Sequence, residues 1–169
     1  MFVWSIQLIR QNFVGSILEY KHLGKSGLKV SPLCLGTMLF GRETPSQESQ
    51  LIIESARNSG INFIDTADAY VGGDSERLVG RCIKTSRDHW VLATKLANKM
   101  GQGPNKGGLS RKWVMQACEE SLRRLRTDYI DIYYLHKEDH ATPLRETIMA
   151  IGDLIKDGKI RYFGVSNYR

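Results

Sequence analysis

The sequence predicts an α/β fold with a parallel sheet, and three observations carry the prediction. Short apolar runs suited to strands, Leu33-Cys34-Leu35, Asn62-Phe63-Ile64, Trp90-Val91-Leu92-Ala93, Ile130 to Leu135 and Tyr162-Phe163-Gly164-Val165, recur along the chain. Stretches with helical periodicity lie between them, so strand and helix alternate every ~30–40 residues, as in parallel βα units. The 169 residues, 41% hydrophobic and 25% charged, suit one globular domain. Parallel neighbours need right-handed crossovers, and two architectures satisfy that: a doubly wound open sheet or a (β/α)8 barrel. No glycine fingerprint follows the first strand, which weighs against a dinucleotide-binding open sheet.

The elements follow in order. Residues 1–18 carry Arg10 as their only charge and match neither a secretory signal nor a transit peptide; they read as an extension outside the domain, which spans 19–169. Tyr20-Lys21-His22 and Leu28-Lys29-Val30 flank Gly24-Lys25-Ser26-Gly27, a short hairpin. Thr44-Pro45-Ser46-Gln47 marks a helix start, with Thr44 as cap, Pro45 in the first helical position and Gln47 three residues after the cap. That helix runs through Leu51, Ile52, Ser55 and Ala56 and ends at Gly60. A second spans Ser75 to Lys84, with Leu78 and Ile83 inward. Ser110 caps a third, in which Val114, Ala117, Cys118, Ser121, Leu122 and Leu125 recur at helical spacing. Thr142-Pro143 opens a fourth, expected to bury Ile148, Ile151 and Ile155 before Gly158 closes it. The Gly-rich run Gly101 to Gly108 has neither Rossmann spacing nor a P-loop ending and reads as a flexible loop.

Composition excludes several functions. No apolar run approaches the ~20 residues of a membrane span, so no membrane role is expected. The net charge of +6 is scattered, and its densest cluster, Arg123-Arg124-x-Arg126, suits the end of a helix. No basic stripe with interleaved aromatics suggests nucleic acid. Cys34, Cys82 and Cys118 are odd in number and widely spaced, as expected of reduced thiols in a cytoplasmic protein. His136 and His140 in HKEDH do not form HExxH, and no metal site is expected.

Ligands of βα proteins bind at the carboxyl ends of the strands. Here those ends carry Gly36-Thr37-Met38, then Asp65 with Tyr70 in the following loop, then Thr94-Lys95, His136 and Ser166-Asn167. Each residue alone has an ordinary structural use, as a turn, a packing group or a solvated charge. Asp, Tyr, Lys and His at successive strand ends together suggest acid–base chemistry. An ammonium favours a neighbouring phenolate and so makes a phenol a usable proton donor. Asp65 can hold Lys95 by a charge-assisted hydrogen bond, and His136 can orient a carbonyl or share a proton with Tyr70. The set has no hydride or electron source, so a cofactor must supply one.

The stretches LGKSGLKVSPLCLGTMLFG, NFIDTADAY, GDSERLVG, LATK, SLRRLRTDYIDIYYLH and GKIRYFGVSN resemble the aldo-keto reductase family, in particular its bacterial branch similar to potassium-channel β subunits. The resemblance covers Glu19 to Arg169 in unbroken order. It implies a (β/α)8 TIM barrel with the hairpin at its base, and NADPH-dependent reduction of an aldehyde or ketone. It assigns Tyr70 as general acid, Asp65 and Lys95 as the groups that tune it, and His136 as the group orienting the small-molecule carbonyl substrate. Gly36, Thr37, Met38 and Asp65 would line the cofactor end, Ser166 and Asn167 would bind the nicotinamide carboxamide, and residues 96–109 would wall the substrate side.

A barrel of this type takes ~250 residues, so about four and a half βα units are expected here. The missing part of the cofactor cradle and the unpaired edge strands predict a marginal or self-associating fragment that binds NADPH weakly. A catalytically silent half-barrel, or a pairing or binding module, is therefore the alternative to an active reductase, and a Schiff-base role for Lys95 is a third reading. Resemblance to start sites also places the natural first residue near Leu18.

Overall fold

Ser26 folds the chain back on itself: its hydroxyl donates to the Leu23 carbonyl at 2.7 Å and accepts from the Leu28 amide at 3.2 Å. The turn pairs β1 (Lys21–His22) antiparallel with β2 (Lys29–Val30), the expected hairpin. The computed structural model describes residues 18–169; the expectations for the extension fall outside these, apart from Leu18. The Leu18 side chain lies against Gly60, and the Tyr20 hydroxyl donates to the Gly60 carbonyl at 2.8 Å.

Five parallel strands follow: β3 (Leu35–Gly36), β4 (Phe63–Asp65), β5 (Val91–Leu96), β6 (Ile130–Leu135) and β7 (Ile160–Val165). They lie side by side in chain order. Between them run α1 (Ser46–Asn58), α2 (Asp74–Ile83), α3 (Arg111–Leu125) and α4 (Leu144–Lys156). One apolar cluster joins all four helices to one face of the sheet, through Ile53, Leu78, Val114 and Ile151 against Ile64, Leu92, Tyr133 and Leu135. The opposite face carries a second cluster, where Val91, Ala93 and Ile132 meet Val30, with Leu23 and Leu28 of the hairpin packed alongside.

This arrangement decides between the two architectures. A doubly wound sheet puts helices on both faces, whereas a barrel keeps them outside. Sequential order with helices on one face is a segment of a barrel wall, with the hairpin against its inner side. Two glycine and arginine contacts tighten the wall. Gly80 lets α2 approach α3 so closely that a Cβ there would lie 2.2 Å from the Leu125 carbonyl oxygen. Arg87 donates to the Trp90 and Tyr129 carbonyls at 2.8 and 2.9 Å and to Asp131 at 2.7 Å, joining the starts of β5 and β6. It stands in a 3₁₀ segment, Lys84–His89, absent from the sequence expectation.

Several local expectations are corrected. Pro45, not Thr44, takes the cap position of α1, and no side chain caps the helix. Instead the Ser49 hydroxyl turns back to the Thr44 and Pro45 carbonyls. The buried residues of α1 are Ser49, Ile53 and Ala56, and Leu51 faces outward. In α4 the buried stripe is Thr147, Ala150, Ile151 and Leu154. Ile148 and Ile155 each lie one residue past a buried position, ~100° around the helix, and are 42% and 43% exposed. Strand β3 begins at Leu35, not Leu33, and β5 runs on to Leu96, which places Thr94 and Lys95 inside the strand. Ser110 caps α3 as expected, accepting from the Trp113 amide.

Candidate active site

Strands β4 and β5 bring Asp65 and Lys95 to the same face. Lys95 is 7% exposed, and a buried ammonium requires partners. It has three: its Nζ donates to Asp65 Oδ1, to the Thr66 carbonyl at 2.8 Å and to the Tyr70 hydroxyl oxygen at 3.1 Å. All three of its N–H bonds are therefore engaged. Because an ammonium can only donate, the Tyr70 oxygen acts as acceptor toward Lys95, and its own O–H is left for another acceptor.

Tyr70 reaches this position through an unusual turn. After β4 the chain bonds back to the sheet, with the Thr66 amide donating to the Ala93 carbonyl and the Asp68 amide to the Lys95 carbonyl. Tyr70–Gly73 then forms a tight turn in which Val71, Gly72 and Gly73 have φ of 50°, 62° and 94°. Val71 is β-branched and strained in the left-handed region. Gly73 suits its φ of 94°, which L side chains disfavour, and a Cβ there would crowd the Arg124 side chain at 2.8 Å. Beneath the turn, the Ser75 hydroxyl bonds to the Thr37 and Thr66 hydroxyls, each at 2.9 Å, and donates to the Thr37 carbonyl at 2.7 Å.

His136 follows β6. Its ring stands edge-on to Tyr70 with centroids 5.9 Å apart. Burial and then the neighbouring Lys95 charge push its pKa below the usual histidine value, with Asp65 opposing; both effects favour the neutral ring. Asn98 lies within hydrogen-bonding distance of His136 Nδ1, at 3.0 Å. After β7, the Asn167 amide donates to the His136 carbonyl at 2.9 Å and to the Ser166 hydroxyl at 3.0 Å.

Asp65, Tyr70 and Lys95 are thus in direct contact and His136 adjoins them. Gly36 pairs with Asp65 across the sheet and is exposed, as are Met38 and Asn167; Ser166 is half-buried. Thr37 departs from its expected lining role. It is fully buried, and its hydroxyl is spent on the Asp65 carbonyl and Ser75. The loop expected to wall the substrate side is held in place by Gly108 to Ala97, Met100 to Lys106 and Leu109 to Asp139 hydrogen bonds. It borders a cavity of about 540 Å³ lined in part by Lys99, Lys106, Lys137 and Asp139.

Two polar residues escaped the sequence reading. Asn98 carried no motif. Asp68 is fully buried with neither carboxyl oxygen hydrogen-bonded. Its pKa is pushed up to about 7, chiefly by burial and next by Glu76, while Arg124 and the Ala69 amide, which is near but not placed to hydrogen-bond, pull the other way. Glu76 is also fully buried, but accepts from Arg124 at 2.5 Å and from the Thr94 hydroxyl at 2.6 Å. The position of Asp68 inside a run of small and apolar residues was the available signal.

Fold and site together define a barrel-wall α/β protein with a lysine-centred polar cluster at its strand ends. The profile of the Aldo/keto reductase family matches residues 32–169, and the chain belongs to that family. It is 39% identical over 155 residues to a probable voltage-gated potassium channel subunit beta of Arabidopsis thaliana, an alignment covering 89% of this chain and 47% of that protein. It is 38% identical over 163 residues to an uncharacterised oxidoreductase of Bacillus subtilis (strain 168), covering 89% of this chain and 50% of that one. A solved aldo-keto reductase of Bacillus halodurans, in its holo form, superposes with a TM-score of 0.83 at 39% identity, covering 90% of this chain and 51% of that structure. The chain spans about half the length of the relatives it matches.

Proposed function

We propose that this chain carries the proton-donating side of a site that reduces an aldehyde or ketone to an alcohol with NADPH. The observation supporting this best is the placement of Lys95 between Asp65 and Tyr70, with Nζ 3.1 Å from the phenolic oxygen. Membership of a family of oxidoreductases supports the reaction class.

Asp, Tyr, Lys and His move protons but not electron pairs, so this donor set fits a partner that donates a hydride; bound NADPH supplies that hydride to the carbonyl carbon. Gly36, Met38, Ser166 and Asn167 would hold its nicotinamide end. In this reading Tyr70 gives its free O–H proton to the carbonyl oxygen as negative charge grows there. Lys95 stabilises the phenolate left behind, and the Asp65 carboxylate and the Thr66 carbonyl keep the ammonium aimed at it. His136, neutral, hydrogen-bonds the same carbonyl oxygen and orients it.

The test is NADPH oxidation with a panel of aldehydes and ketones. General-acid catalysis contributes roughly 10²–10⁴-fold, so Tyr70→Phe should lower kcat by about that factor with an unchanged fold. Turnover in Tyr70→Phe equal to that of the parent would rule the assignment out.

A second reading has its own support. Tyr162, Phe163 and Val165 of the edge strand β7 are 37%, 42% and 47% exposed. In this reading the chain acts only once another polypeptide covers that edge. Gel filtration combined with an NADPH fluorescence titration distinguishes the two.

A further inference from the structure

We infer that Asn98 is a positioning residue that fixes His136 in the neutral tautomer carrying its proton on Nε2. The inference rests on the role proposed above for His136, since only an Nε2–H can donate to a carbonyl oxygen in front of the ring.

The geometry begins with the strand register. Leu96 pairs with Leu135, so the residues just past β5 and β6 leave the sheet side by side. The His136 amide donates to the Leu96 carbonyl at 2.9 Å, and the Gly108 amide to the Ala97 carbonyl at 2.9 Å. Between them Ala97, 3% exposed, has φ of 114°, where an L-residue is strained. That bend sits where it delivers the Asn98 side chain to the neighbouring strand end. The Asn98 Nδ2 lies 3.0 Å from His136 Nδ1.

An amide nitrogen only donates. With the amide nitrogen facing the ring, Asn98 is the donor and Nδ1 the acceptor, and a neutral imidazole of that kind carries its proton on Nε2. The backbone that carries the ring is fixed too, because the Asn167 side-chain amide donates to the His136 main-chain carbonyl at 2.9 Å. The charged groups that act on the ring are Lys95 of β5, Asp65 of β4 and Lys137 in its own loop, and Tyr70 stands edge-on to it. Both lysines oppose an imidazolium, so the ring stays neutral and the choice between tautomers is left to Asn98.

The experiment is long-range ¹H–¹⁵N correlation spectroscopy of the full chain at neutral pH, with the His136 signals assigned by a His136→Gln variant. The parent protein should show a protonated Nε2 and a bare Nδ1. Asn98→Ala should lose this single state and show both tautomers in exchange. Asn98→Asp, which offers only acceptors, should switch the proton to Nδ1 and raise the titration midpoint of the ring. A protonated Nδ1 in the parent overturns the inference without any variant, and so does an Asn98→Ala spectrum identical to the parent's. The spectra need no cofactor or substrate. A tautomer governed by Asn98 in a chain that reduces no carbonyl would sink the proposed function and leave this inference standing.

Discussion

Asp68→Asn should change how stability depends on pH. In the folded chain the Asp68 carboxyl is fully buried, without a hydrogen-bond donor, and next to buried Glu76, so its pKa rises from 3.8 to about 7. In the unfolded chain it titrates near ~3.9. Between these values the folded state holds a proton that the unfolded state has released. The contribution of Asp68 to native stability is therefore greatest below pH ~4 and is lost as pH rises to ~7, after which the loss is complete. A shift of roughly three units at ~1.4 kcal/mol each sets the loss at ~4 kcal/mol, a large share of the ~5–15 kcal/mol of a typical domain. Asparagine has the same shape as the protonated acid and does not ionise. Urea unfolding followed by the fluorescence of buried Trp90 and Trp113 should find Asp68→Asn more stable by only ~1 kcal/mol at pH 4.5 and by up to ~4 kcal/mol at pH 8. Parallel stability profiles for parent and variant from pH 4.5 to 8 would refute the reasoning.

Three further outcomes are expected. Lys95→Met leaves Asp65, whose side chain is 24% exposed, without its cation, and the loss of a hydrogen bond to a charged group costs ~1.5–3 kcal/mol; carbonyl reduction should fall with it, and urea unfolding and NADPH oxidation read the two effects. Gly80→Ala forces α2 from α3, because its Cβ would meet the Leu125 carbonyl at 2.2 Å. Overpacking of ~1–3 kcal/mol should lower Tm by ~2–4 °C for each kcal/mol, and an unchanged Tm would contradict the packing. Exposed apolar residues on an unpaired edge template association, so the parent should show concentration-dependent self-association in gel filtration, and Phe163→Lys should shift it toward monomer.

The βα order and the four helices were legible because each rests on local signals. Ser110 is a cap, Gly158 a stop, and Val114 to Leu125 keep one helical period. The rim was legible because strand ends in such folds converge, so Asp65, Lys95 and His136 could be placed without coordinates. What failed depends on neighbours distant in sequence. Ile148 and Ile155 read as core because α4 is apolar on more than one side, and only contact with the sheet selects Ala150, Ile151 and Leu154. Thr37 looked like a lining hydroxyl until Ser75, 38 residues away, claimed it. Asn98 reaches His136 only through a strained Ala97, and no propensity announces a residue forced into a conformation it disfavours.

The registers explain why the carboxylate is at 65 and the ammonium at 95. Asp65 pairs directly with Ala93, and Lys95 pairs with Tyr134 on the far side. Lys95 is therefore two residues further along β5 than the partner of Asp65, and on the same face, because strand side chains alternate with period two. A residue at 93 would lie directly beside Asp65, below the rim, where no long side chain could also reach the loop after β4. From 95, the four-carbon stem lets one ammonium touch Asp65, the Thr66 carbonyl and the Tyr70 hydroxyl together. Thr94, one residue back, points to the helix face and bonds Glu76. A slip of one residue between β4 and β5 would exchange these two, sending the ammonium into the helix layer and a short hydroxyl to the rim. The apolar residues that fix this register, Ile64 and Leu92 on one face and Phe63 and Val91 on the other, are thus as necessary to the polar cluster as the residues that compose it.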